Sequence, residues 1–176
     1  MPPDVYRAVW AERDRRWAER VHRAAQQDAV ITLLRAVSWL GDGFLWYGAI
    51  VLIALAGGTH GRDVAAQMVM VGALNLTLYL WLKSHIGRAR PYVKYPDIRA
   101  RGRALDQFSF PSGHALHASA FSVVLIYYFP AWAWLLLPTV ALIGLSRVAL
   151  GLHYPSDVAA GAAIGALSAS VFLALF

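Results

Sequence analysis

The sequence has no cysteine in its 176 residues, which excludes disulfide bonds and thiolate chemistry. Charge is also scarce, because Asp, Glu, Lys and Arg make up 15% of the chain while hydrophobic residues make up 59%. Two long tracts, residues 118–146 and 158–176, contain none of these four charged residues. A lipid bilayer requires such tracts, at roughly 20 apolar residues for each helical span. The composition therefore indicates an integral membrane protein rather than a soluble domain.

The charges that are present are mostly basic, and they give a formal net charge of +6. A basic balance suits three kinds of partner, namely nucleic acid, anionic lipid or a phosphate-bearing substrate. Nucleic acid is not expected as a partner, because the hydrophobic tracts leave no soluble platform to bind it. Residues 4–28 are not expected to be a signal peptide either, since they mix Asp, Glu, Arg and Trp and lack an apolar core.

Residues 4–28 predict an amphipathic helix, and residues 1–30 are expected to form a unit distinct from the rest of the chain. Arginines surround an apolar stripe made of Val5, Val9, Trp10, Trp17 and Val21. Aromatic side chains opposite arginines are typical of a helix that lies on a membrane surface. The alternative is a solvated cap that packs on the remaining helices, and the pattern does not decide between the two.

Five apolar segments follow, and they predict an all-α fold, an integral-membrane helical bundle formed by residues 31–176. The expected spans are Trp39–Ala56, Val64–Leu82, Gly113–Phe129, Trp132–Ala149 and Val158–Phe176. Gly161 and Gly165 stand about one helical turn apart on the last span, a spacing that allows another helix to pack closely against it.

Three polar clusters occur where the predicted spans begin or end. They cover residues 83–91, 110–114 and 146–157, and they contain Lys, Arg, His and Asp. Because successive spans alternate in direction, all three clusters are expected on the same face of the membrane. Polar groups at membrane depth are costly, so their convergence predicts an anion-binding site with acid–base chemistry.

The second cluster stands at the start of a predicted helix, where Ser112 is a suitable N-cap and Gly113 lets a ligand approach the backbone closely. The free N–H groups and positive dipole of a helix start bind phosphate oxygens. Lys83, Arg90 and Arg147 in the other clusters can supply positive charge, and arginine adds bidentate contacts. These five residues are the predicted phosphate-binding groups.

The third cluster supplies a candidate nucleophile, because His153 and Asp157 lie four residues apart across a loop–helix junction. An Asp bonded to one ring nitrogen fixes the tautomer and raises the basicity of the other nitrogen. That arrangement suits an imidazole nucleophile. His114 from the second cluster then remains as the proton donor for the leaving oxygen.

Three further residues are candidate substrate contacts, namely Arg88, His117 and Tyr92. His117 follows His114 by one helical turn, but no Cys or Glu accompanies the pair, so a metal site is not expected. Asp42 lies between two glycines near the start of the first span and is interpreted as a helix-end residue.

The three clusters closely resemble the signature motifs of the type 2 phosphatidic acid phosphatase family, whose site is shared with vanadium haloperoxidases and bacterial non-specific acid phosphatases. The motif K-x6-R-P matches residues 83–91, P-S-G-H matches residues 111–114, and S-R-x5-H-x3-D matches residues 146–157. Every fixed position is filled in order, and the resemblance covers roughly residues 38–176.

The resemblance implies a metal-independent lipid phosphatase without a cofactor, and it assigns a role to each matched residue. His153 attacks phosphorus and becomes a phosphohistidine, Asp157 orients it, and His114 protonates the leaving group and later activates water. The implied phosphate ligands are Lys83, Arg90, Ser112, Gly113 and Arg147. Residues 31–176 are then the transmembrane phosphatase domain.

The implied substrate is a lipid-linked phosphomonoester or diphosphate, such as undecaprenyl diphosphate, phosphatidic acid, phosphatidylglycerol phosphate or a lipid A phosphate. The alternatives are a lipid phosphotransferase that uses the same site and a non-catalytic lipid-binding or transport protein. The expected location is a bacterial cytoplasmic membrane, with membrane lipids as partners, and a homo-oligomer is left open. Commoner family members have six spans, so one fewer span here means either an external N-terminus or a site on the cytoplasmic face.

Overall fold

The computed structural model describes residues 3–176, and in this part of the chain the regular elements are helices, as the sequence predicts. The helices are α1 (Pro3–Ala24), α2 (Asp28–Trp39), α3 (Leu45–Ala56), α4 (Gly58–Ile86), α5 (Pro91–Lys94), α6 (Gly113–Tyr128), α7 (Ala133–Ala149) and α8 (Pro155–Leu175). A π-helical turn, Leu40–Phe44, joins α2 to α3, and a 3₁₀ turn, Pro130–Trp132, leads into α7. The predicted all-α class is therefore confirmed.

The first span is longer than predicted, and it is kinked. It begins at Asp28 rather than at Trp39, because the π-helical turn connects α2 to α3 without ending the helical segment. Inside this turn Gly43 has a φ of 123°, a backbone conformation that favours glycine. The kink places Asp42 beside the start of α6, at hydrogen-bond distance from His114.

Four segments of residues 3–176 are long and apolar enough to cross a membrane, namely Asp28–Ala56, Gly58–Ile86, Pro130–Ala149 and Pro155–Leu175. The remaining predicted span is α6, whose 16 residues extend for about 24 Å. Most of its side chains are buried, because it packs against α4, α7 and α8. The fold is thus a membrane-embedded helical bundle, and a fifth crossing by α6 stays a prediction.

Helices α6 and α8 pack with their backbones in contact, and two glycines on α8 make this approach possible. A Cβ atom added to Gly161 would lie 2.5 Å from the carbonyl oxygen of Ser112, and one added to Gly165 would clash with the carbonyl oxygen of Leu116. The close packing predicted from the glycine spacing is therefore confirmed. It also holds the start of α6 against the start of α8, where the backbone N–H of Ser112 donates to the carbonyl of Asp157 at 3.0 Å.

Helix α1 packs one face on the bundle and leaves its aromatic stripe exposed. Ala18 and His22 are buried, and Nδ1 of His22 donates to the carbonyl oxygen of Ala149 at 2.8 Å. Trp10 and Trp17 on the other face are more than half exposed. The two alternatives predicted for this segment are therefore compatible, because a helix docked on the bundle keeps a surface that suits a membrane interface.

Candidate active site

The three polar clusters meet at one end of the bundle, as the alternation of span directions predicts. Nη1 of Arg90 in the first cluster donates to the carbonyl oxygen of Leu152 in the third at 2.8 Å. Nζ of Lys83 donates to the carbonyl oxygen of Phe108 at 2.5 Å, just before the second cluster. These bonds, together with the packing of α6 on α8, fix the three motifs relative to one another.

His153 is buried beside Arg90, and its ring tautomer is set by a backbone carbonyl. Nδ1 donates to the carbonyl oxygen of Ser109 at 2.7 Å, so the lone pair is on Nε2, which lies 3.2 Å from Nη1 of Arg90. Burial lowers the pKa of His153 to about 4, and the positive charges of Arg90 and Arg147 act in the same direction. The imidazole is therefore neutral at pH 7, as a nucleophile must be.

Asp157 is not the hydrogen-bond acceptor of His153 that the sequence predicts, because its oxygens are held elsewhere. Its Oδ2 accepts the backbone N–H of Tyr154 at 2.8 Å, which is a capping-box contact at the start of α8, and lies 3.7 Å from Nδ1 of His153. Its Oδ1 accepts from Nη1 of Arg88 at 2.6 Å. Asp157 thus supports the loop that carries His153, while Ser109 fixes the tautomer.

Arg88, a candidate substrate contact, forms ion pairs with two carboxylates. Besides Asp157 it binds Oδ2 of Asp14 on α1 at 2.6 Å, and its guanidinium group lies 3.9 Å from the ring centroid of Tyr154. Asp14 also accepts the backbone N–H of Ser156 at 3.0 Å, near the start of α8. Helix α1 is thereby connected to the loop that carries the candidate nucleophile.

Two buried donors from different motifs have no hydrogen-bond partner among the described residues. Ser112 occupies the N-cap position of α6, but its hydroxyl makes no capping bond and is fully buried. Nε of Arg147 is also buried and unpartnered, whereas its Nη1 binds the hydroxyl of Ser38 and its Nη2 the carbonyl of Arg103 at 3.4 Å. Unpaired buried polar groups are unfavourable unless a ligand satisfies them, and phosphate oxygens accept such bonds.

Asp106 is a site residue that the sequence interpretation missed. Its Oδ1 accepts from Nζ of Lys83 at 2.6 Å and from Nη2 of Arg90 at 3.0 Å, and its Oδ2 accepts from the hydroxyl of Tyr79 at 2.5 Å. Burial opposes ionisation, but the bonds from Lys83 and Tyr79 outweigh it and lower the pKa of Asp106 to about 2. The sequence offered one indication that Asp106 belongs to the site, because it is the only acidic residue between Asp97 and Asp157 and lies among basic residues.

Asp42 is a second missed residue, because it pairs with His114 instead of ending a helix. The distance from its Oδ1 to Nε2 of His114 is 2.5 Å. An ionisable residue inside an apolar span is a signal of function, and Asp42 carried that signal in the sequence. The pair places a carboxylate where it can stabilise a proton on the candidate general acid.

An apolar cavity of about 490 Å³ runs between α3 and α4 and ends at His114. His117 also lines it, and its Nδ1 donates to the carbonyl oxygen of Gly113 at 2.9 Å. Tyr92 packs instead against the buried cluster that contains Leu150 and Leu152. In residues 3–176 no group of three or more His, Asp or Glu side chains is arranged to hold a metal ion.

Comparisons with known proteins agree with this arrangement. Residues 64–176 match the PAP2 superfamily. A lipid A 1-phosphatase of Rhizobium johnstonii is 39% identical over 100 residues, 52% of this chain but only 41% of the relative's length. A decaprenylphosphoryl-5-phosphoribose phosphatase of Mycolicibacterium smegmatis is 35% identical over 142 residues, 78% of this chain and 74% of the relative.

A solved structure supports the same fold. Aquifex aeolicus LpxE superimposes with a TM-score of 0.81 at 22% identity, covering 90% of this chain and 93% of its own. Residues 64–176, which match the superfamily, contain the three motifs that meet at the end of the bundle. The chain belongs to the PAP2 superfamily and is a membrane-embedded member of it.

Proposed function

We propose that the protein is a metal-independent lipid phosphatase that works through a phosphohistidine at His153, with residues 31–176 as the phosphatase domain. The observation that carries the proposal is the environment of Nε2 of His153. A neutral, buried imidazole nitrogen faces Arg90, and the unpartnered donors of Ser112 and Arg147 belong to the motifs that converge there. A tetrahedral anion would satisfy these donors and bring phosphorus to the nitrogen.

In the first step, Nε2 of His153 attacks phosphorus and forms a P–N bond while the bond from phosphorus to the lipid oxygen breaks. His114, paired with Asp42, gives a proton to the leaving oxygen. Ser109 accepts the Nδ1–H bond of the ring, which gains positive charge during attack. Lys83, Arg90, Arg147, Ser112 and the backbone N–H of Gly113 hold the phosphate oxygens.

In the second step, a water molecule attacks the phosphohistidine and gives its proton to His114. The P–N bond breaks, inorganic phosphate leaves, and His153 returns to its neutral form. His114 is therefore the general acid in the first step and the general base in the second. No metal ion is required, because the arginines and the lysine supply the positive charge.

The substrate is a lipid, because the apolar cavity that ends at His114 lies between two helices long enough to cross a membrane. A hydrocarbon chain in this cavity would place its phosphate at the converging motifs. His117, which lines the cavity, is then a contact of the leaving group. Undecaprenyl diphosphate, phosphatidic acid, phosphatidylglycerol phosphate and a lipid A phosphate are the candidate substrates. Both relatives described above are named as phosphatases of a lipid-linked phosphate.

The proposal is tested by phosphate release from a single lipid. The purified protein is expected to release inorganic phosphate from at least one candidate lipid, with EDTA present and no other lipid acceptor. Millimolar vanadate should inhibit this activity, because it adopts the geometry of a phosphoryl group under attack. Phosphate that appears only after a second lipid is added would favour a phosphotransferase, and no turnover of any lipid phosphate would favour a binding or transport protein.

A further inference from the structure

A second cavity beside the site is lined by three arginines, and we name it the arginine cavity. It has a volume of about 680 Å³ and lies between the end of α2, the π-helical turn and residues 100–105. Arg35, Arg101 and Arg103 line it. Three positive charges around one concave surface attract an anion, and guanidinium groups suit phosphate oxygens in particular.

Much of the hydrogen-bonding capacity of these arginines is unused within residues 3–176. Nε of Arg35 donates to the carbonyl oxygen of Arg101 at 2.5 Å, and Nη2 of Arg101 to the side chain of Gln26 at 3.1 Å. Nε of Arg101 is buried and has no partner in the described part of the chain. Asp42 also lines the cavity, with its Oδ1 bound to His114, and it offsets part of the positive charge. Three arginines against one carboxylate still leave a net positive charge for a ligand.

The arginine cavity adjoins both the phosphate-binding residues and the apolar cavity. Arg147 reaches its wall, because its Nη1 binds the hydroxyl of Ser38, which lines the cavity. Asp42 and Leu105 line the arginine cavity and the apolar cavity alike. A lipid with its phosphate at Arg147 and its chain in the apolar cavity therefore passes the mouth of the arginine cavity.

We propose that the arginine cavity is a subsite for a second phosphate, which the substrate carries between its scissile phosphate and its hydrocarbon chain. This inference rests on the proposed function and narrows its substrate class. It favours lipids with two phosphorus centres, such as phosphatidylglycerol phosphate or a prenyl diphosphate, over phosphatidic acid. Binding of the second phosphate also orients the leaving group toward His114.

The test compares phosphatidylglycerol phosphate with phosphatidic acid of the same acyl chains, in uncharged detergent micelles. We expect kcat/KM to be at least about 10-fold higher for the first lipid, because its phosphodiester gains charge-assisted bonds. Arg103→Gln should lower this ratio roughly 5-fold, and Arg35→Gln should lower it too, with phosphatidic acid hydrolysis unchanged. Arg99→Gln removes the same charge from the same loop outside the cavity, and should leave the ratio unchanged.

The subsite would be wrong if the native chain showed a ratio of the two kcat/KM values near one. It would also be wrong if neither Arg103→Gln nor Arg35→Gln lowered this ratio. The anion could instead be a headgroup of the surrounding lipid, so phosphatidylglycerol is added in a separate series. If it stimulates phosphatidic acid hydrolysis through Arg103 while the substrate ratio stays near one, the subsite is also wrong. No phosphate release from either lipid would contradict the proposed function itself, and the subsite with it.

The distribution of positive charge carries a second, independent inference. Among the Lys and Arg residues whose side chains the structure describes, all but one lie at the site end of the bundle, and the exception is Arg62 at the opposite end. The site and the arginine cavity account for part of this excess. Outside both there remain, among the described side chains, five arginines on α1 together with Lys94 and Arg99.

We infer that the site opens at the cytoplasmic face of the membrane. Positively charged residues near span ends are retained in the cytoplasm, and the excess persists when the residues of the site are left out. Helix α1 fits an anionic cytoplasmic leaflet, since Arg13 and Arg20 lie over the rings of the exposed Trp10 and Trp17, each 5.4 Å from the ring centroid. The substrate must then be supplied by a reaction that makes its phosphate on the cytoplasmic side.

The absence of cysteine makes this inference directly testable by single-cysteine labelling. Thr59→Cys marks the turn at the far end, and Arg99→Cys marks the loop at the site end; both side chains are exposed. In intact spheroplasts a membrane-impermeant maleimide should label only Thr59→Cys, and Arg99→Cys only after permeabilisation. The reverse pattern, or labelling of both variants in intact spheroplasts, would contradict a cytoplasmic site.

Discussion

Replacement of His153 by Ala is expected to reduce phosphate release by at least about 1,000-fold, because no P–N bond can form without the imidazole. Ser112 and Arg147 would still bind a phosphate oxygen, so KM should change far less than kcat. The measurement is steady-state phosphate release from the best lipid substrate. Thermal unfolding in detergent checks that the buried position tolerates the smaller side chain.

His85→Ala is the matched control, because His85 lies at the same end of the bundle but is exposed. Within residues 3–176 its side chain bonds only to Trp81 and Ser84 of its own helix. Its activity should stay within about twofold of the native chain. Radiolabelled substrate adds a direct readout, since the native chain should show an acid-labile phosphoenzyme and His153→Ala should show none. Phosphorylation of the His153→Ala variant would assign the nucleophile to another residue.

The elements that the sequence predicted well are those with a local signature. Apolar tracts located the spans, glycine spacing located the α6–α8 contact, and alternating span direction brought the three motifs to one end. Span boundaries were less accurate where the pattern was interrupted without ending the helix. The π-helical turn at Leu40–Phe44 carries two glycines and an Asp, which suggested a helix start although the helix continues from Asp28.

The hydrogen bonds that the sequence did not predict are those of side chains with several possible partners, where the folded structure decides which partner is nearest. Asp157 was expected to bind His153, but its position in the first turn of α8 directs one oxygen to the helix start and the other to Arg88. The backbone carbonyl of Ser109 accepts the Nδ1–H of His153 instead. Because every residue has a backbone carbonyl, the residue type at this position could not indicate the contact. Asp106 likewise contacts Lys83 only because a loop brings the two together, and no helical spacing relates them in the sequence.

Asp106→Asn is expected to lower kcat/KM by roughly 10- to 100-fold, since bonds to charged groups are each worth about 1.5–3 kcal/mol. The carboxylate joins Lys83, Arg90 and Tyr79, and it offsets the repulsion between the two cations. Without its charge the cations separate, so KM and the inhibition constant for vanadate should rise together. Asp97→Asn is the control, because this exposed residue lies in the same connection and outside the site.

A gain in affinity on replacing Asp106 would contradict this role. Asp106 presents an anion to two residues that are proposed to bind phosphate, so it could compete with the substrate instead of organising the site. In that case Asp106→Asn would bind vanadate more tightly and show a lower KM than the native chain. The bonding pattern favours organisation, because one oxygen also accepts the backbone N–H of Phe108 at 2.9 Å, and the other accepts the hydroxyl of Tyr79. A carboxylate held by this many donors is expected to remain in place when the substrate binds, and to leave the further N–H groups of Lys83 and Arg90 directed at the phosphate.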